Sequence, residues 1–159
     1  MKRIMQSTLA LAIAMTFSVG TVKAQELEEI IVTATKKEES LQDISVSVTV
    51  IDGNLIEKAA VNSLQDLGRY VPNFSVSENA ISTITTMRGI SIGANQSFEQ
   101  SVGLFVDGVH MPKGRQFRTG MFDVERVEVL RGPQGTLFGK NTLTGAINVI
   151  SAKPIIGAD

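Results

Sequence analysis

The sequence predicts an α+β domain: a small mixed β-sheet with short helices and long loops. Three observations predict it. Val46, Val48 and Val50 alternate with Ser45, Ser47 and Thr49, which is the period of a strand with one covered face. Beyond Pro72, short apolar stretches alternate with glycine-rich turns. Two longer polar stretches, 91–101 and 111–120, separate some of those strands.

The chain has 159 residues, with 15 Lys+Arg, 16 Asp+Glu, one His, no Cys and no Trp. Absence of Cys excludes a disulfide framework and any thiolate metal or redox site. A single His leaves little scope for a His-rich metal centre. The net charge of −1 argues against a dedicated nucleic-acid binder, which needs a basic stripe to neutralise phosphates. Neither metal, cofactor nor nucleic acid is expected.

Residues 1–24 read as an export signal. Lys2 and Arg3 precede an apolar run over 8–19, and Val22, Lys23 and Ala24 supply a small-residue cleavage site. A spanning helix would need about 20 apolar residues. Cleavage after Ala24 would remove Lys2, Arg3 and Lys23, leaving 12 basic against 16 acidic groups. The mature protein is then mildly acidic and works beyond the cytoplasmic membrane.

Residues 25–43 read as a flexible tail. Its one β-favouring patch, Ile30, Ile31 and Val32, is set among Glu26, Glu28, Glu29, Lys36, Lys37, Glu38 and Glu39. Such a segment can lend a strand to a partner's sheet, or form the first strand of the domain's own. The domain itself is expected over 44–155, with 156–159 a short remainder. After the first strand, Asp52 can cap a helix running to Ala60. Ser63 with Asp66 resembles a capping box for a second helix, stopped by Gly68 and Pro72. Strands follow at 74–76, 84–87, 102–106, 124–130 and 146–150. In the 124–130 strand, Val127 and Val129 point one way while Arg126 and Glu128 point the other. Asp107 and Gly108 mark a tight turn.

Two motifs invite an enzymatic reading and fail it. Gly89-Ile90-Ser91-Ile92-Gly93 has the form of a nucleophile elbow, but no helical period follows it. The sole His110 has only Asp107, three residues before it, as an acid partner. The segment from Gly135 to Lys140 is one residue short of a phosphate loop and continues with Asn141 in place of a hydroxyl. No catalytic residue is assigned, and an enzyme is not expected.

The densest pattern is VERVEVLRGPQGTLFGKNTLTGAINVISAKP, from Val124 to Pro154. It resembles the plug domain of TonB-dependent outer-membrane receptors. Three other segments resemble the family in the right order: EIIVT (Glu29, Ile30, Ile31, Val32, Thr33) resembles a TonB box, TMRGI at 86–90 an IRG-type strand end, and VDGV at 106–109 its VDG turn. The resemblance implies that the tail binds the TonB C-terminal domain from the periplasm. It also implies that Arg88 and Arg131 touch a 22-stranded barrel wall in the outer membrane. Ligand-facing loops would carry Ser91, Ile92, Asn95, Gln96, Lys113, Arg115 and Arg118, and the basic second loop would suit an anionic ligand such as a ferric siderophore. A barrel of that size takes over about 200 further residues, so the chain reads as a plug without its barrel. The alternative is a soluble periplasmic TonB-interacting module, or a receptor fragment without transport activity.

Overall fold

A computed structural model describes residues 30–33, 36–37, 39–80, 82–92, 99–118 and 120–154. The signal-like segment, Glu29, Asn95, Gln96 and 156–159 lie outside them. The elements in chain order begin with strands β1 (Ile31–Val32), β2 (Glu39–Ser40) and β3 (Ser47–Asp52), then helix α1 (Gly53–Lys58). Strands β4 (Phe74–Glu78), β5 (Thr83–Met87), β6 (Ile90–Ser91), β7 (Val102–Val106) and β8 (Val109–His110) follow. Strand β9 (Val124–Arg131), helix α2 (Gly135–Phe138) and strand β10 (Gly145–Ser151) complete the fold.

The main sheet has the order β3-β9-β10-β7-β8. It is mixed, because β10 runs parallel to β7 and antiparallel to β9. The hairpin from β7 to β8 turns at Asp107 and Gly108, both with positive φ. Asp107 also accepts from the Ser151 N–H at 2.9 Å and hydroxyl at 2.8 Å, which ties this turn to the end of β10. A separate sheet has the order β4-β5-β6, and β1 pairs only with β2.

The period-two pattern sorts residues onto the two faces of the main sheet. Ile51, Leu104, Val127, Val129, Ile147 and Val149 face one side and join the larger core with Ile56, Leu64, Leu67, Met87 and Phe117. On the other face, Phe105, Leu130 and Ala146 enclose Val32, flanked by Leu41, Ile44, Val48, Val50 and Phe138. Val127 and Val129 do point opposite to Glu128, yet Glu128 is also fully buried. Both faces of the sheet are covered, and the tail is part of the cover.

Local chemistry explains the helices. Asp52 caps α1, accepting from the Leu55 N–H at 2.9 Å, and Ile56 is its buried residue. The expected second helix shrinks to one 3₁₀ turn, Asp66–Arg69. The Ser63 hydroxyl donates to Asp66 at 2.9 Å, but Gly68 and Pro72 leave no room for a longer coil. The polar stretch 111–120 holds another 3₁₀ turn, Gly114–Arg118, wrapped round a fully buried Phe117. Gly145 is required by close approach: a Cβ there would run into the Met87 sulfur and the Leu130 carbonyl.

Candidate functional site

The first candidate site is the seat of the tail. Where a flexible tail is expected, its described part is a paired strand. β1 and β2 form an antiparallel pair, and the Lys36 N–H donates to the Thr33 carbonyl at 2.8 Å. Val32 is fully buried, whereas Ile30 and Ile31 are 48% and 54% exposed. β-branched residues favour this extended backbone, and the seat of Phe105, Leu130 and Ala146 supplies the burial. The Lys36 ammonium lies 5.4 Å above the Phe138 ring.

Thr33, the last residue of the TonB-box-like segment, meets Glu128 of β9. Its backbone N–H donates to Glu128 Oε1 at 2.8 Å. Its hydroxyl lies 3.2 and 3.3 Å from the two carboxylate oxygens. Arg126 Nε donates to the same Oε1 at 2.9 Å, and Asn148 Nδ2 reaches Oε2 and Thr33 Oγ1 at 3.4 Å each. A buried carboxylate is tolerable only when its lone pairs are satisfied and its charge is matched. Here the tail contributes part of that satisfaction.

The second candidate site is the corner at Gly132, which the Arg88 guanidinium covers and Arg131 precedes in sequence. Arg88 and Gly89 turn from β5 to β6 with φ of 53° and 77°, and the Arg88 N–H is held by the Asn73 carbonyl at 2.8 Å. The Arg88 guanidinium lies over Gly132, its Nη1 3.3 Å from where a Cβ would stand. Gly132 itself has φ of 118°, a conformation that favours glycine. Arg131 ends β9 immediately before it, with a buried Nε that has no hydrogen-bond acceptor. Among the described residues neither guanidinium has a carboxylate within ion-pair distance.

The loop residues separate into two kinds. Ser91 is exposed and Ile92 half-buried, while Lys113 and Arg115 are exposed. The two loops come together through a bridge between Glu99 and Lys113. Glu99 takes a hydrogen bond from Asn141 and an ion pair from Lys140 at 3.5 Å. The Asn141 amide, then the Lys140 charge, hold its carboxyl below the usual glutamate range. Arg118 is different. Its guanidinium donates to Thr83 Oγ1 at 2.7 Å, the Asn79 carbonyl at 2.7 Å and the Ser82 carbonyl at 3.0 Å. It pins the 3₁₀ turn to the hairpin of β4 and β5 and is already committed to the fold. Ser91 and His110 belong to different sheets, and the His110 ring stacks on Phe105 with centroids 4.9 Å apart. Among the described residues no group of three His, Cys, Asp or Glu is placed to hold a metal.

Glu128 and Asn148 were not legible as site residues. The only signal was a charge between two buried valines, and its partner lies 95 positions away.

Residues 40–146 match the family described as TonB-dependent Receptor Plug Domain. The chain is 34% identical to the pesticin receptor of Yersinia pestis over 82% of its own length and 20% of that protein. It is 33% identical to the vitamin B12 transporter BtuB of Vibrio vulnificus over 92% of itself and 25% of that protein. Among solved structures, the ferric yersiniabactin uptake receptor FyuA of Yersinia pestis aligns with a TM-score of 0.62 at 34% identity, covering 69% of this chain and 17% of the receptor. The ferripyoverdine receptor of Pseudomonas aeruginosa aligns with a TM-score of 0.65 at 25% identity, covering 79% and 17%. The chain therefore spans about a fifth to a quarter of the length of the curated relatives named here.

Proposed function

The chain belongs to the plug-domain family of TonB-dependent receptors, and from that premise we propose that it gates an outer-membrane receptor for a ferric siderophore or similar nutrient. Its leading segment, Glu29 to Thr33, engages the TonB C-terminal domain from the periplasm. The observation that carries this reading is the tail itself. Ile31 and Val32 already hold strand geometry, and half-exposed Ile30 and Ile31 offer side chains to a partner sheet. In such strand addition the backbone supplies affinity and the side chains supply register.

The remaining parts fit the same role. Export through the 1–24 signal would bring the mature chain to the outer membrane. Arg88 and Arg131 would find their counter-charges on the wall of a 22-stranded barrel, supplied by sequence beyond this chain. Ser91, Ile92, Asn95, Gln96, Lys113 and Arg115 would face the incoming ligand. Arg118 would shape the second loop rather than touch the ligand.

Capture of the mature chain by the TonB C-terminal domain tests the reading. Ile31→Pro removes a backbone donor and disfavours extension of the preceding ladder, so capture is expected to fall at least tenfold. Equal capture of both forms would refute strand pairing. Fractionation tests location: recovery with the outer membrane is expected, and recovery only in soluble periplasm would favour a free module.

A further inference from the structure

We propose that Glu128 is a catch that holds the tail strand closed, by occupying the edge of that strand where a partner strand would add. The register carries the inference. Leu41 N–H donates to the Ile30 carbonyl at 3.0 Å, so Ile30 and Leu41 are a hydrogen-bonded pair. Bonded and non-bonded pairs alternate along an antiparallel ladder. Ile31 and Ser40 are then a non-bonded pair, Val32 and Glu39 a bonded one. Thr33, one residue on, turns its N–H away from β2, and that N–H is the one that Glu128 takes at 2.8 Å. An incoming strand on the outer edge of β1 needs this donor, so the two occupants are mutually exclusive.

The carboxylate is built to hold, not merely to be near. It is fully buried, and Arg126 from its own strand and Asn148 from β10 orient it toward the tail. The Thr33 hydroxyl adds a second contact. One residue before, Val32 fills the apolar seat. Polar catch and apolar seat sit on consecutive residues and therefore release together. Glu128 acts through Thr33 and is a positioning residue for the tail. Its importance for energy coupling rests on the proposed function, whereas the catch itself does not.

The chain has no Cys, so a single introduced thiol reports cleanly. In the full chain carrying Val32→Cys, maleimide labelling is slow while the tail is docked. Adding Glu128→Ala, which removes the acceptor, or separately Thr33→Pro, which removes the backbone donor, is expected to speed labelling at least tenfold. The same changes should leave a Leu67→Cys reporter, in the larger core, unaltered. Unchanged Val32→Cys labelling with Glu128→Ala would overturn the catch. If Glu128→Ala speeds both reporters, the domain has loosened as a whole, and Thr33→Pro decides: faster Val32→Cys labelling alone supports the catch, and no change refutes it. Capture by the TonB C-terminal domain is read in parallel. Faster labelling without stronger capture leaves the catch standing and rejects the partner reading.

Discussion

Arg118→Ala separates a structural arginine from a ligand-binding one. The side chain makes three hydrogen bonds to the hairpin of β4 and β5 and lies 3.7 Å from Glu78. Hydrogen bonds to a charged group contribute about 1.5–3 kcal/mol each, and an exposed ion pair about 0–1 kcal/mol. The three bonds share one side chain that is 34% exposed, so they do not sum, and the Glu78 pair adds little. Ser82 and Thr83 are buried, so water replaces the guanidinium poorly. The expected loss is about 2–4 kcal/mol, which lowers the melting midpoint of a domain this size by about 10 °C. Urea titration of the purified chain measures it. Arg118→Lys keeps the charge but cannot span three acceptors in a fork, and should recover less than half. A change within about 0.5 kcal/mol, the range of ordinary surface substitutions, would refute the structural assignment and return Arg118 to the ligand-facing set.

Other perturbations have equally definite outcomes. Gly145→Ala forces a methyl against the Met87 sulfur and the Leu130 carbonyl and should cost about 1–3 kcal/mol in urea. Gly132→Ala places an L-residue at φ of 118° under the Arg88 guanidinium; a loss of about 1–3 kcal/mol is expected, measured the same way. The Ser63 hydroxyl, with help from the Asn62 N–H and Arg69, holds the Asp66 carboxyl below the usual aspartate range. A lowered native pKa means the unfolded chain binds the proton more readily, so this contribution is complete above the unfolded value and disappears as pH falls through the native one. Ser63→Ala should therefore flatten the fall of stability below about pH 4, as followed by acid titration of circular dichroism.

Local pattern made most of the fold legible. The 102–106 strand coincides with β7, and the Asp52 cap, the Asp107-Gly108 turn and the valine face of β9 all depend on near neighbours in sequence. What stayed hidden depends on distance. Phe117 falls in a stretch read only as polar, because its burial is decided by packing against strands far along the chain. Arg118 is expected to face the ligand by resemblance, because its three acceptors lie 35 to 39 residues away and leave no local signal. Glu128 follows the alternation faithfully, but alternation names only a face and cannot say what covers it. The tail's charged flanks read as a solvated segment, whereas the apolar seat for Val32 is assembled from β7, β9 and β10. The Arg88 guanidinium lies over Gly132, a glycine whose φ no alternation rule would reveal.

The place of β3 has a mechanical corollary. It is an outermost strand of the main sheet and has β9 as its one neighbour, across six register pairs from Ser47 to Asp52. Once Val32 and Thr33 have left their seat on the interior strands, a tensile load introduced ahead of residue 47 arrives at this margin. Rupture of that single ladder would detach β3, while the pairing of β10 with β9 and β7 stays whole. The topology thus sets an order of yielding: a sacrificial border strand first, and the buried lattice behind it later.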